Sequence, residues 1–343
     1  MLKGRCLFQK EIVKCIILIL LRKVWKEGSH MLRIRKFVIG KDDEVWIRIW
    51  NEAFKEFEDE RALTMEDMTL WEKSPRFSAE GMFIAEWKGE PVGLVNAYVD
   101  KKREEKKGFI RTLGVAPKFR RMGIGRKLAE TAIKSLKERG MEAVEVWATE
   151  QMKDARKLFE LLGFKLVRIF SEMKMKLDTI PSNVGENKEV TIRSMNKNTE
   201  DIKLLNWLNN ETFKEHYDFR PSTVEETQYT IENSPDIDVN GWFFAYLQEK
   251  LVGYVGTGID KKFIEEKGIK RGWIWEIGVV KPERQKGIGT HLILTAMNFL
   301  KSKGMNEALL GVDDTNPTKA IELYKKVGFK IAKKEFTYLK SVI

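Results

Sequence analysis

Cysteine is nearly missing from this chain: 343 residues hold two, Cys6 and Cys15, both within the first thirty. From Met31 onward there is none, which excludes disulfides, thiolate metal sites and a cysteine nucleophile from that stretch. Long apolar runs are scarce as well. The run Cys15–Leu21 falls far short of the about 20 residues that a membrane-spanning helix needs. Basic residues precede it, as in a signal peptide, but Arg22-Lys23-Val24-Trp25 follows and offers no small-residue cleavage site. Codons for Lys26-Glu27-Gly28 can carry a purine-rich ribosome-binding sequence ahead of Met31. Residues 1–30 are therefore expected to be a translated upstream extension, and the body from Met31 to be cytoplasmic. Hydrophobic residues at 43% and aromatics at 10% can fill real cores, so disordered, collagen-like and coiled-coil classes drop out.

The charge is unbalanced. Sixty-two Lys and Arg against 51 Asp and Glu give +11, of which +5 lies in residues 1–30 and +6 in the rest. A basic surplus points to an anionic partner: a nucleotide-like cofactor, nucleic acid or a membrane surface. Lys and Glu alternate along most of the chain, however, and that reads as a solvated surface.

The chain repeats itself. Ile34-Arg35 recurs as Ile192-Arg193 at an offset of 158, and Asn51-Glu52-x-Phe54 as Asn210-Glu211-x-Phe213 at 159. Gly123-Ile124-Gly125 recurs as Gly287-Ile288-Gly289 at 164, and Gly163-Phe164-Lys165 as Gly328-Phe329-Lys330 at 165. A slowly growing offset means one duplicated module with small insertions in the second copy. The boundaries read as 31–177 and 189–343, joined by a polar linker over 178–188. Strand signals cover Met82–Trp87, Pro91–Tyr98, Phe109–Val115 and Val144–Trp147, with partners at Trp242–Leu247, Leu251–Gly258, Trp273–Val280 and Ala308–Val312. Apolar faces at Leu128, Ala132, Leu136 and at Leu292, Ala296, Leu300 predict a long helix after each glycine pair. Each module thus reads as α/β (α+β): strand, helices, three strands, long helix, strand, helix, strand.

Both glycine pairs follow a strand and open a helix. Glycine there lets backbone N–H groups approach an anion, and the helix N-terminus adds a favourable dipole. Neither loop is a Walker motif or a dinucleotide fingerprint. In context, Arg-x-x-Gly-x-Gly follows a Gly-Val-x-Pro-like strand end and precedes Leu-Tyr/Phe…Gly-Phe. That combination resembles the GNAT superfamily of N-acetyltransferases, twice over nearly all of Met31–Ile343. With Phe213-x-x-His216-Tyr217 and Arg220-Pro221, the second copy also resembles the tandem GNAT enzymes related to mycothiol synthase.

The resemblance implies a mixed, mostly antiparallel twisted sheet flanked by helices in each module, and acetyl-CoA as donor substrate without a metal. It implies that Leu113-Gly114-Val115 and Ile277-Gly278-Val279 bind the pantetheine arm. The loops Arg120-Arg121-Met122-Gly123-Ile124-Gly125-Arg126 and Arg284-Gln285-Lys286-Gly287-Ile288-Gly289-Thr290 would hold the pyrophosphate, with Arg120 and Arg284 aimed at phosphate. The Val279 N–H would serve the oxyanion, Asn316 the pantetheine, Tyr324 as general acid and Glu276 as base, directly or through water. A phenol of pKa about 10 is reasonably matched to a leaving thiol near 8.5. Each residue also has a plainer reading. Tyr324, in a helix expected over Pro317–Val327, can be core; Asn316-Pro317 is a helix cap; Glu276 can face solvent; His216 can be a pocket wall.

The first module has Phe57, Thr112, Gln151 and Phe159 where the second has His216, Glu276, Asn316 and Tyr324. The expectation is acetyl transfer to an amine, in a small molecule or a protein N-terminus, catalysed by the second module. A non-catalytic acyl-CoA sensor is the alternative. Neither a membrane nor nucleic acid is expected as partner.

Overall fold

The computed structural model describes residues 31–181, 187, 189–316 and 318–343. The reading of residues 1–30, most of the expected linker and Pro317 lie outside the described residues. Among those described, no helix is long and apolar enough to cross a membrane.

The first copy runs β1 (Leu32–Lys36), α1 (Asp43–Phe54), α2 (Met65–Lys73), β2 (Met82–Trp87), β3 (Glu90–Val99), β4 (Lys107–Val115), α3 (Ile124–Glu138), β5 (Ala143–Thr149), α4 (Lys153–Leu161) and β6 (Lys165–Lys176). The second repeats that order as β7 (Val190–Ser194), α5 (Thr199–Phe213), α6 (Val224–Asn233), β8 (Trp242–Leu247), β9 (Lys250–Gly258), β10 (Arg271–Val279), α8 (Ile288–Ser302), β11 (Glu307–Asp313), α9 (Ala320–Val327) and β12 (Lys330–Ser341). An added helix, α7 (Lys261–Lys267), sits between β9 and β10, where the offset grows most. The predicted strands and long helices fall where the apolar patterns put them.

The two modules do not form two sheets. All twelve strands join in the order β1-β2-β3-β4-β5-β12-β6-β11-β10-β9-β8-β7. The last strand of each copy crosses over. β12 lies between β5 and β6, with Tyr338 opposite Val146, and β6 pairs with β11, with Met173 opposite Leu310. A cut at the sequence boundary would therefore leave β6 in the sheet half of the second copy. Tyr338 is buried among Phe159 and Phe164 of the first copy, while Met173 joins the core of the second.

Reciprocal ion pairs reinforce the exchange. Arg61 bridges Asp67 of its own module and Asp260 of the other, each at 2.8 Å. Arg220 does the same in reverse, meeting Glu226 at 2.6 Å and Asp100 at 2.8 Å, with its side chain almost wholly buried. Partly buried bidentate arginine–carboxylate pairs of this kind fix geometry more than they add stability. The repeated Ile-Arg pairs have a local use as well: Arg35 grips Asp42 and Arg193 grips Asp201, tying the first strand of each module to its first helix.

Candidate active site

In each module one strand pair opens. β10 and β11 run parallel only from Arg271–Trp273 against Glu307–Leu309, and β4 and β5 only from Lys107–Ile110 against Ala143–Val146. Past that point a bulge shifts the register of each splayed strand against its other neighbour, skipping Trp275 in β10 and Arg111 in β4. A bulge raises the local twist, so the partner strands diverge and leave a gap through the sheet.

In the second module the gap holds a cavity of about 680 Å³. Its walls include the strand end Ile277–Val279, the loop residues Arg284, Gln285, Gly287 and Gly289, and the side chains of Asn316, Leu323 and Tyr324. Thr290 lines it also. Phe170, carried by β6 of the first copy, completes the wall, so the exchanged strand is part of the site.

The loop conformation requires its glycine. Gly287 has φ of 79° and Gly123 has 81°, a region that favours glycine, and each is the N-cap of the helix that follows. Neither helix has a side-chain cap. The first-turn N–H groups of α3 and α8 consequently lack a protein acceptor at the cap and face outward, which is an anion cradle.

The side chains of Arg120 and Arg284, expected to aim at phosphate, are each held by groups of the protein. Arg284 donates from Nε to the Val279 carbonyl at 3.0 Å and from Nη2 to the Thr212 carbonyl at 3.1 Å, and it pairs with Glu215. Arg120 is held alike by Val115, Ala53 and Glu56. The last carbonyls of a helix lack intrahelical partners and attract a cation, which accounts for the hold of Ala53 and Thr212 on the two guanidiniums. Arg121 pairs with Asp154 and Arg126 with Glu130.

The two candidate catalytic groups lie on opposite faces of the sheet. A Cβ on Gly278 would stand 2.3 Å from Thr212 Oγ1 of α5, whereas one on Gly253, paired with Val279, would stand 3.2 Å from Leu292 of α8. Glu276 shares the α5 face with Gly278 and does not line the main cavity. Its Oε2 accepts from Asn209 Nδ2 at 3.0 Å and from the Tyr254 hydroxyl at 2.9 Å. Burial pushes its carboxyl above the ordinary range, against the two donors, which pull it down. Tyr324 lies on the α8 face, buried, its ring edge-on to Phe329 at 6.3 Å, and burial pushes its phenol up. Among the described residues its hydroxyl has no hydrogen-bond partner.

Asn316 is not the N-cap of α9, which is Lys319. Its Oδ1 accepts from the N–H and hydroxyl of Thr318, a local turn, and Lys319 has a φ of 54°, so α9 starts at Ala320. His216 is a cavity wall whose ring lies tilted 4.5 Å from that of Phe213, its imidazole pKa lowered by burial.

The first module has the same loop geometry with different side chains at the candidate positions. Phe159 is packed 5.9 Å from Phe164 and 6.1 Å from Tyr338. Where Gly311 has open space beside it on β11, the first module carries Trp147. Asn209 and Tyr254 are the residues that the sequence reading missed.

The acetyltransferase (GNAT) family model matches residues 45–164 and 202–329, more than half of the chain. The chain belongs to the GNAT acetyltransferase family. Both matched regions stop short of the exchanged strands. Among similar GNAT proteins, a mycothiol acetyltransferase of Thermomonospora curvata is 32% identical over 131 residues, 38% of this chain and 43% of that protein. The chain thus spans less than half the length of that relative. A mycothiol acetyltransferase of Mycobacteroides abscessus is 27% identical over 74% of this chain and 83% of its own. The fold is shared with a GCN5-related N-acetyltransferase from Sphaerobacter thermophilus, with a TM-score of 0.69 at 22% identity over 91% of this chain and 96% of that one. It is shared also with a tandem GNAT protein from the clavulanic acid biosynthesis pathway, with a TM-score of 0.67 at 15% identity over 90% and 98%.

Proposed function

We propose that this chain transfers acetyl from acetyl-CoA directly to the amine of an acceptor, with the chemistry in the second module. One observation carries the reading. A cavity with an uncapped helix N-terminus at one end is lined by Tyr324, and the Glu276 carboxylate lies on the other face of the sheet, two residues along β10 from Gly278 of the cavity wall. Loop N–H groups of Gln285–Gly289 bind the pyrophosphate, the edge Ile277–Val279 holds the pantetheine arm, and Arg284 positions the loop rather than touching phosphate. Asn316 orders the turn that forms the opposite wall.

Glu276 takes the amine's proton, through a water, as nitrogen attacks the thioester carbonyl. The Val279 N–H stabilises the oxyanion, as the family resemblance implies. The C–S bond then breaks and Tyr324 gives its proton to the departing thiolate, leaving an amide and free CoA. With no cysteine from Met31 onward, no thioester relay on such a side chain competes. The relatives' names support acetyl transfer; the acceptor is proposed only as an amine.

The test is a screen of primary amines for release of free CoA, repeated with Glu276→Gln. Loss of a general base lowers turnover by about 10²–10⁴-fold. Because burial raises the Glu276 carboxyl, the acid limb of the wild-type rate is expected above the ordinary carboxylate range, activity falling as pH drops through it. An unchanged rate in Glu276→Gln removes the base from the mechanism. Acetyl-CoA binding without turnover of any amine would favour a sensor instead.

A further inference from the structure

We infer that Asn209 and Tyr254 are positioning residues, which hold one oxygen of the Glu276 carboxylate so that the other is left to take the proton. The inference rests on the base role proposed above.

Three observations lead to it. First, the three side chains close a triangle: Asn209 Nδ2 donates to the Tyr254 hydroxyl at 2.9 Å and to Glu276 Oε2 at 3.0 Å, and Tyr254 donates to the same Oε2 at 2.9 Å. Both bonds end on Oε2, and among the described residues Oε1 accepts none. A carboxylate pinned through one oxygen cannot rotate, so the free oxygen keeps a single direction. Second, Tyr254 is fully buried in the middle of β9, where burial and the adjacent carboxylate keep its phenol protonated and so a donor.

Third, the duplication supplies an internal control. The strand register equates Tyr254, opposite Gly278, with Leu94, opposite Gly114, and Glu276, opposite Gly256, with Thr112, opposite Asn96. The repeated Asn-Glu-x-Phe places Asn209 at Trp50. The same fold is thus built in the first module with Trp, Leu and Thr at these three positions. Packing alone does not require the triad. All three polar groups occur together, in the module that also has Tyr324, and none occurs in the other.

The charged and titratable surroundings of Glu276 are few. Tyr254 comes from β9, Asn209 and Thr212 from α5, and among the described residues Arg76, from the loop after α2, is the cation whose charge stabilises the carboxylate. Donors to the ionised form lower its pKa, so removing one raises it further.

The experiment is a carbon-13 titration of glutamate carboxyls in the full chain, with the Glu276 signal assigned by its loss in Glu276→Gln. Tyr254→Phe keeps the ring and removes one donor; Asn209→Ala removes the other. Each is expected to move the Glu276 midpoint upward by up to about one pH unit. With acetyl-CoA and ethanolamine, the acid limb of CoA release is expected to move by the same amount, the rate recovering at high pH. A Glu276 midpoint unchanged in both variants overturns the inference, as does a rate depressed equally at every pH, which is the mark of a packing role. Thermal melts separate either result from misfolding, and if Tyr254→Phe does not fold, Asn209→Ala decides. Full activity of Glu276→Gln defeats the base assignment itself, a different outcome from a base that works without its two donors.

Discussion

A chain ended after Phe329, lacking β12, is expected to lose cooperative unfolding in both halves of the molecule. β12 pairs with β5 from Glu335 to Ser341 and with β6 from Lys330 to Leu339, so its removal strips two neighbouring strands at once. Tyr338 and Val342 leave the first module's core with it, and burial of each such side chain is worth about 1.5–3 kcal/mol. The ladder hydrogen bonds add to that loss, against a total stability of about 5–15 kcal/mol for a typical domain. Two bare strand edges would also be left in the centre of the sheet, inviting aggregation. Near-UV dichroism and a thermal melt check this, with a synthetic peptide of residues 330–343 added back to restore the transition. A truncated chain that melts cooperatively at the full-length Tm would mean that the modules are independent.

Tyr324→Phe is expected to fold normally and turn over about 10²–10⁴-fold more slowly, with little change in acetyl-CoA affinity. The first module provides the precedent for folding, because Phe159 occupies the equivalent place and packs well. What the substitution removes is a proton held at the gap. Burial keeps the Tyr324 phenol protonated through the working pH range, so it can serve only as a donor to the leaving thiolate. Stopped-flow measurement of CoA release beside calorimetric binding separates the two effects. Full turnover in this variant would assign the proton to another group.

Much of this architecture is legible in the sequence because the duplication prints each signal twice. The glycine loops are visible because a left-handed φ at Gly123 and Gly287 admits few other residues. Arg121 and Gln285, each with a φ of 64°, take the same region without any such signal. The strand exchange is not legible. β6 and β12 carry similar apolar patterns, and Met173 and Tyr338 satisfy a core whichever neighbour they pair with. The direction of Arg284 is hidden too, since its true acceptors are backbone carbonyls of Thr212 and Val279, which no side-chain motif reports. Asn209 and Tyr254 look like an ordinary helix polar residue and a strand aromatic. Only a comparison of the two copies, Trp50 and Leu94 against Asn209 and Tyr254, would have picked them out.

Whether acetyl-CoA is used in the second module can be read from calorimetric titration of acetyl-CoA into Gly287→Val and Gly123→Val, with CoA release followed in parallel. A side chain at either position conflicts with the left-handed backbone that opens the cradle. Gly287→Val is expected to fold but to lose both binding at the second module and turnover, whereas Gly123→Val is expected to turn over at the wild-type rate. Turnover that survives Gly287→Val and disappears in Gly123→Val would place the chemistry in the other half of the molecule.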